Sequence, residues 1–309
     1  MPAPRASKPG ALPLASPPLA SSAAIGLTMA MGSAAGYGLN IVTAQMAANV
    51  GVSGALMVFY RVFLMLACIA VALAITRTSL RVAPGERGPL IVFGLSSSII
   101  GTAYLSSVAF LPVSVAAVIF YIFPILIVLA EPLVEKTPLG PRRLGVALLA
   151  FLGVTLVVGP RFESLDPRGL ALALLAAAGA AVQFFAAARM TRTSTASKLF
   201  WGHLLVLPGV TATLFAIDGF RSPEVFVLAP IAIGVTLIAY LVSIALQLGA
   251  LARLSAVAGG LTFCAEPLFA SLFAALLLGE RLAPIQYAGG ALVLAAVAVN
   301  GAMALRAPR

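Results

Sequence analysis

The stretch Leu111-Pro112-Val113-Ser114-Val115-Ala116, leading to Phe120-Tyr121-Ile122-Phe123-Pro124, is almost wholly apolar and carries a proline well inside it. It comes back later in the chain. Sliding the sequence against itself by 143 residues (254 − 111) lays Leu111 on Leu254, Phe120 on Phe263 and Pro124 on Pro267. The same shift lays Gly26-Leu27 on Gly169-Leu170, Gly36 on Gly179 and Asn40 on Gln183. Leu and Ala are abundant enough to match by chance, but glycines, amides and prolines paired at one shared offset mark an internal repeat. The chain reads as two tandem copies of one unit.

Composition says where those units sit. Of 309 residues, 61% are hydrophobic and 9% charged, against about 25% charged in an ordinary soluble domain. So few charges cannot cover a soluble fold, and most of the surface must face lipid. Apolar runs fall at 23–46, 54–76, 88–110, 112–134, 141–159, 168–188, 198–217, 226–250, 255–278 and 283–305. Each is about long enough to cross a bilayer, and none alternates as a barrel strand would. The expected fold is an all-α integral membrane protein of ten transmembrane helices in two five-helix repeats. Because five is odd, the second repeat enters the membrane upside down. Residues 1–22, with six prolines, read as a disordered tail. The first repeat is expected over 23–160, and the second, with a short C-terminal tail, over 161–309.

Charge then gives orientation. With the N-terminus inside, fourteen of the 19 basic residues fall on the inner side, Arg161, Arg168, Arg221 and Arg281 fall outside, and Arg61 lies within a span. The positive-inside rule puts both termini in the cytoplasm, and the excess of basic residues reports topology rather than nucleic acid. Cys68 and Cys264 sit in apolar runs, with neither a disulfide framework nor metal-ligand spacing. No glycine-rich phosphate loop argues for an ATP-driven pump. No aspartate cluster or His/Glu constellation argues for a metal, a cofactor or a hydrolytic centre. A membrane-embedded enzyme and a non-transporting scaffold stand as the alternatives to a carrier.

The opening stretch, together with Pro267 to Leu278-Gly279-Glu280-Arg281 and Gly289-Gly290-Ala291-Leu292, resembles the EamA-type drug/metabolite transporter superfamily over nearly everything after the tail. One departure concerns spacing: Glu135 stands eleven residues after Pro124, but Glu280 stands thirteen after Pro267. The resemblance implies an alternating-access carrier of the bacterial inner membrane, commonly an exporter of amino acids, other metabolites or toxic compounds. It also implies a central cavity lined mainly by helices 1, 3, 4, 6, 8 and 9.

Glu266 is the sharpest candidate for that cavity. It lies 11 residues past Ser255 (266 − 255), roughly 16 Å into a core of about 30 Å, and an acid at that depth must face protein or water. Pro124 and Pro267, each lacking a backbone donor in mid-span, are candidate hinges. On the walls the resemblance names, Asn40, Ser97, Tyr104, Tyr121, Gln183, Tyr240, Gln247 and Phe263 are candidate substrate contacts, with the repeat-equivalent Tyr104 and Gln247 as candidate gates. Arg61 is expected to snorkel to the outer face in a structural role. Glu131 and His203 are expected near the cytoplasmic interface, solvated or satisfied, and the Gly32–Gly36 spacing to serve close packing.

No lysine falls in the central part of the expected spans, so a doubly charged phosphate ester would meet no midplane cation, and phosphorylated sugars are disfavoured. An amine-bearing substrate would pair with Glu266 while rings such as Tyr121 and Phe263 stack on it. The alternative is that Glu266 exchanges a proton for substrate. The expected partners are a small-molecule substrate and the lipid bilayer.

Overall fold

The computed structural model describes residues 19–77, 79–160, 165–217, 219 and 223–306. The chain runs through α1 (Leu19–Ala48), α2 (Gly54–Thr76), α3 (Arg87–Ser107), α4 (Val113–Phe120), α5 (Phe123–Glu135) and α6 (Pro141–Val158). It continues through α7 (Pro167–Ala188), α8 (Thr195–Ile217), α9 (Pro230–Leu251), α10 (Ala256–Phe263), α11 (Glu266–Leu278) and α12 (Pro284–Arg306). Among the described residues there are 10 helical stretches long and apolar enough to cross a membrane, α4–α5 and α10–α11 each counting as one. In lipid every backbone N–H and C=O must be paired within its own segment, so continuous apolar runs become helices.

Local chemistry sets the ends. Ser53 and Ser255 accept hydrogen bonds from the Leu56 and Ala258 N–H groups, capping α2 and α10. Proline stands in the first turn of α6, α7 and α9, where its missing N–H costs nothing. Helix α1 starts at Leu19, four residues inside the expected tail; the remainder of that tail, 1–18, lies outside the described residues, as do Arg161 and Arg221. The eighth span starts later than expected, because Pro223–Leu228 forms a short 3-10 turn ahead of Pro230.

The repeat is legible in the helix ends. Val113–Phe120 and Phe123–Glu135 in the first half match Ala256–Phe263 and Glu266–Leu278 in the second, at the sequence offset of 143 (256 − 113). The spacing departure at Glu135 and Glu280 therefore leaves the helices in register. Lys136 takes the left-handed C-cap conformation (φ 54°) that Gly279 takes in the other half (φ 69°), and Glu280 lies past its helix end.

Helix pairs follow the same symmetry. α1 packs along α9 as α3 packs along α7, and α6 packs against α12. The last pair touches backbone to backbone: a Cβ on Gly289 would lie 2.7 Å from the Gly153 carbonyl oxygen. One pair breaks the symmetry. α3 packs extensively along α8, whereas α2 and α9, its equivalents, make fewer contacts. They meet through the cluster of Leu56, Tyr60, Ile233 and Leu237 and through Arg61.

At the end of the bundle where α1 begins and α12 ends, a polar clamp joins the two halves. Glu86, buried at the start of α3, accepts the N–H groups of Thr191 and Arg192 on Oε1 (3.0 and 2.9 Å) and of Thr193 on Oε2 (2.8 Å). The Ala83 N–H bonds the Thr193 hydroxyl oxygen, and the Trp201 indole bonds the Leu80 carbonyl. Burial pushes the Glu86 carboxyl up, but the Thr193 hydroxyl and the three backbone donors outweigh it and hold the group below its ordinary value.

Candidate functional site

Spans four and nine are each broken in the middle. Proline at the second position of α5 and α11 leaves the Phe120 and Phe263 carbonyls without their usual donors four residues on. The chain crosses each gap by tight turns, Ile122 N–H to the Ile119 carbonyl and Ala265 N–H to that of Thr262. Pro124 and Pro267 thus sit beside true breaks, where a single kinked helix was expected. Glu266 is the first residue of α11, at the positive end of that helix dipole.

Glu266 lies mid-span at this break and is half-buried. Tyr121, Tyr37, Tyr104 and Cys264 lie within its electrostatic reach. An arc of rings surrounds this point. Tyr104 meets Phe120 edge-on at 5.4 Å, Phe120 leads to Phe123 (5.4 Å), Phe123 to Phe184 (5.2 Å), and Phe184 to Phe263 (5.3 Å). Tyr37 closes the arc, 6.2 Å from both Phe263 and Tyr240.

A polar chain crosses four spans beside it. Tyr37 donates to Gln247 Oε1 (2.8 Å), Gln247 donates to Gln183 Oε1 (3.4 Å), and Gln183 donates to Ser97 (2.7 Å). Ser97 in turn donates to the Phe93 carbonyl. Of the residues the sequence singled out, Ser97, Gln183 and Gln247 belong to this chain. Tyr104, Tyr121, Phe263 and Glu266 belong to the arc, and Tyr240 joins both groups through Tyr37. Gln247 and Tyr104, expected as gates, line these central groups instead. Asn40 is not part of the assembly; its amide donates to the Thr236 carbonyl (2.7 Å) and ties α1 to α9.

Arg61 and Glu131 depart from expectation. Arg61 turns inward rather than toward the outer face: its guanidinium carbon lies 4.2 Å from the Tyr240 ring centroid, because the looser α2–α9 contact leaves room for it. His203 is buried and satisfied, as expected, and one of its partners is Tyr240. Its Nδ1 faces the Leu199 carbonyl (2.7 Å), which can only accept, so in the neutral ring Nε2 receives the Tyr240 hydroxyl (2.9 Å). Glu131, expected to be solvated, is buried and paired with Arg143. Lys198 is buried in the first turn of α8 with its ammonium on the Met190 carbonyl.

Tyr37 and Phe184 escaped the sequence reading, and Arg61 was read as structural only. Tyr37 aligns with Ala180 in the repeat (180 − 37 = 143), so the symmetry that highlighted Asn40 passed over it. Among the described residues no group of three or more His, Cys, Asp or Glu side chains is placed to hold a metal.

Comparison with known proteins accords with this architecture. The model of the EamA-like transporter family matches residues 24–159 and again 167–302. A solved crystal structure resembles the chain with a TM-score of 0.70 at 18% identity, covering 93% of this chain and 99% of that one, which is a likeness of fold. No curated protein matches. The chain belongs to the EamA-like transporter family, and so to the drug/metabolite transporters of the membrane.

Proposed function

We propose that this member of the EamA-like transporter family is a secondary transporter that exports a small amine-bearing metabolite, amino acid or drug by alternating access. The observation that carries the reading is the Glu266 carboxyl, half-buried at a mid-span helix break inside an arc of aromatic rings. A cavity that offers one carboxylate and several π faces suits an ammonium group with an apolar body. Tyr104, Tyr121, Tyr240 and Phe263 line it, and Ser97, Gln183 and Gln247 set its polar edge. Pro124 and Pro267 serve as paired hinges, since the two broken spans are equivalent and can move against their neighbours in opposite senses. Export, rather than import, rests on family analogy.

Family analogy supports the bacterial inner membrane, and the basic bias of the sequence supports the clamped end, both termini and Glu86 on the cytoplasmic side. Reporter fusions at residue 160 and at the C-terminus then give opposite sides. Same-side results overturn the topology.

The functional test is transport by purified protein in liposomes without ATP, comparing wild type with Glu266→Gln. Loss of amine flux in a folded variant is expected. Flux and pH dependence both unchanged would remove Glu266 from the mechanism, and robust uptake of a phosphate ester would overturn the charge reading. Exchange of a proton at the same carboxyl is the second reading, favoured by its place as the mid-span acid bordering the cavity; there, Glu266→Gln abolishes the dependence on the pH gradient.

A further inference from the structure

Among the described residues no acid pairs with Arg61, a guanidinium inside the bundle. It is half-buried, its Nε is buried without a hydrogen-bond partner, and the ion pairs among the described residues leave it out. A guanidinium keeps its charge at every working pH, and an interior charge left without a counter-charge is a strong liability. What Arg61 does have is the face of Tyr240, a ring whose hydroxyl is held by His203. That ring face orients the guanidinium without neutralising it.

Arg61 and Glu266 address the same space. Tyr37 lies within electrostatic reach of both, and its ring stands 6.2 Å from Tyr240 on one side and 6.2 Å from Phe263 on the other. The cavity therefore has a cationic pole at Arg61 with Tyr240, an anionic pole at Glu266 with Tyr121, and aromatic rings between. Resting on the reading of Glu266 as the amine receptor, we propose that Arg61 receives a carboxylate of the same substrate. The cavity then selects a dipolar solute, carrying one ammonium and one carboxylate, over a plain amine. A carboxylate matches the planar fork of a single guanidinium, and the acid at the opposite pole disfavours a doubly charged anion.

The test uses purified full-length protein in lipid nanodiscs and three matched sets of probes. These are L-leucine with 3-methylbutylamine and 4-methylpentanoate, L-phenylalanine with phenethylamine and 3-phenylpropanoate, and L-alanine with ethylamine and propanoate. Equilibrium dialysis should show at least one amino acid bound at least about tenfold more tightly than both of its singly charged relatives. Arg61→Gln should bring that amino acid down to the affinity of its amine while leaving the amine unchanged. Arg61→Lys, which keeps the charge and carries the test where Arg61→Gln does not fold, should retain the preference. Amines bound as tightly as the amino acids, no amino acid bound at all, or a ratio unaffected by Arg61→Gln would each overturn the inference. Amine binding that disappears in Glu266→Gln alongside any of those results would leave Glu266 standing as the amine receptor while removing Arg61, so the two claims fail separately.

Discussion

Removing the Glu86 carboxylate by Glu86→Ala should loosen one junction between the halves and leave the rest of the bundle intact. In the wild type Oε1 takes two backbone N–H groups and Oε2 a third, all from residues 191–193, and only 3% of Glu86 is exposed. Truncation leaves those three donors without an acceptor. At about 1 kcal/mol net for each bond, the local cost is about 3 kcal/mol. At 1.4 kcal/mol per factor of ten, the amides of Thr191, Arg192 and Thr193 should exchange with deuterium about 100-fold faster. Glu86→Gln keeps an acceptor at Oε1 and should fall between. The same clamp sets a pH dependence. Because the folded carboxyl lies below its ordinary 4.5, its stabilisation is fully present above that value and disappears as pH falls through the lowered one. Protection of these amides, corrected for intrinsic exchange, should hold from pH 5 to 8 and drop only in stronger acid. Unchanged exchange at 191–193 in Glu86→Ala, or a loss spread evenly over all spans, would refute the clamp.

Gly289→Ala should destabilise the α6–α12 contact by about 1–3 kcal/mol, because the new Cβ meets backbone at Gly153 and Val157 that cannot rotate away. Thermal unfolding followed by size exclusion checks it, with Gly145→Ala, where nothing lies within 4 Å, as the control that should be neutral or better. Lys136→Gly should stabilise the protein by about 0.5 kcal/mol. Relief of left-handed strain contributes about 1 kcal/mol, and the added chain entropy of unfolded glycine takes back about half. A lowered melting temperature would show that the Lys136 side chain, not its backbone, matters.

The sequence alone determined the membrane class, the count of spans and the repeat. These depend on properties summed over long windows, which no single contact can reverse: apolar length against bilayer thickness, and paired landmarks at one offset. It also put Glu266 in mid-span, where the helix break lies. The offset was legible enough that the ends of α10 and α11 coincide with those of α4 and α5.

Tertiary structure decided what each side chain does, since two residues at similar depth can face different neighbours. Asn40 and Tyr37 lie less than one turn apart on α1. The first bonds the backbone of α9, while the second joins the arc of rings and the polar chain. Arg61 was read as snorkelling because seven residues of helix put it within reach of an interface. Its direction was fixed instead by the looser contact between α2 and α9, where the repeat is broken. Glu86 shows the same limit in a loop, where its partners stand more than 100 residues away in sequence and are backbone amides that any residue would supply. Periodicity and composition report which segments are buried, whereas the direction of a side chain depends on the shape of its neighbours, and that shape exists only once the two halves have packed.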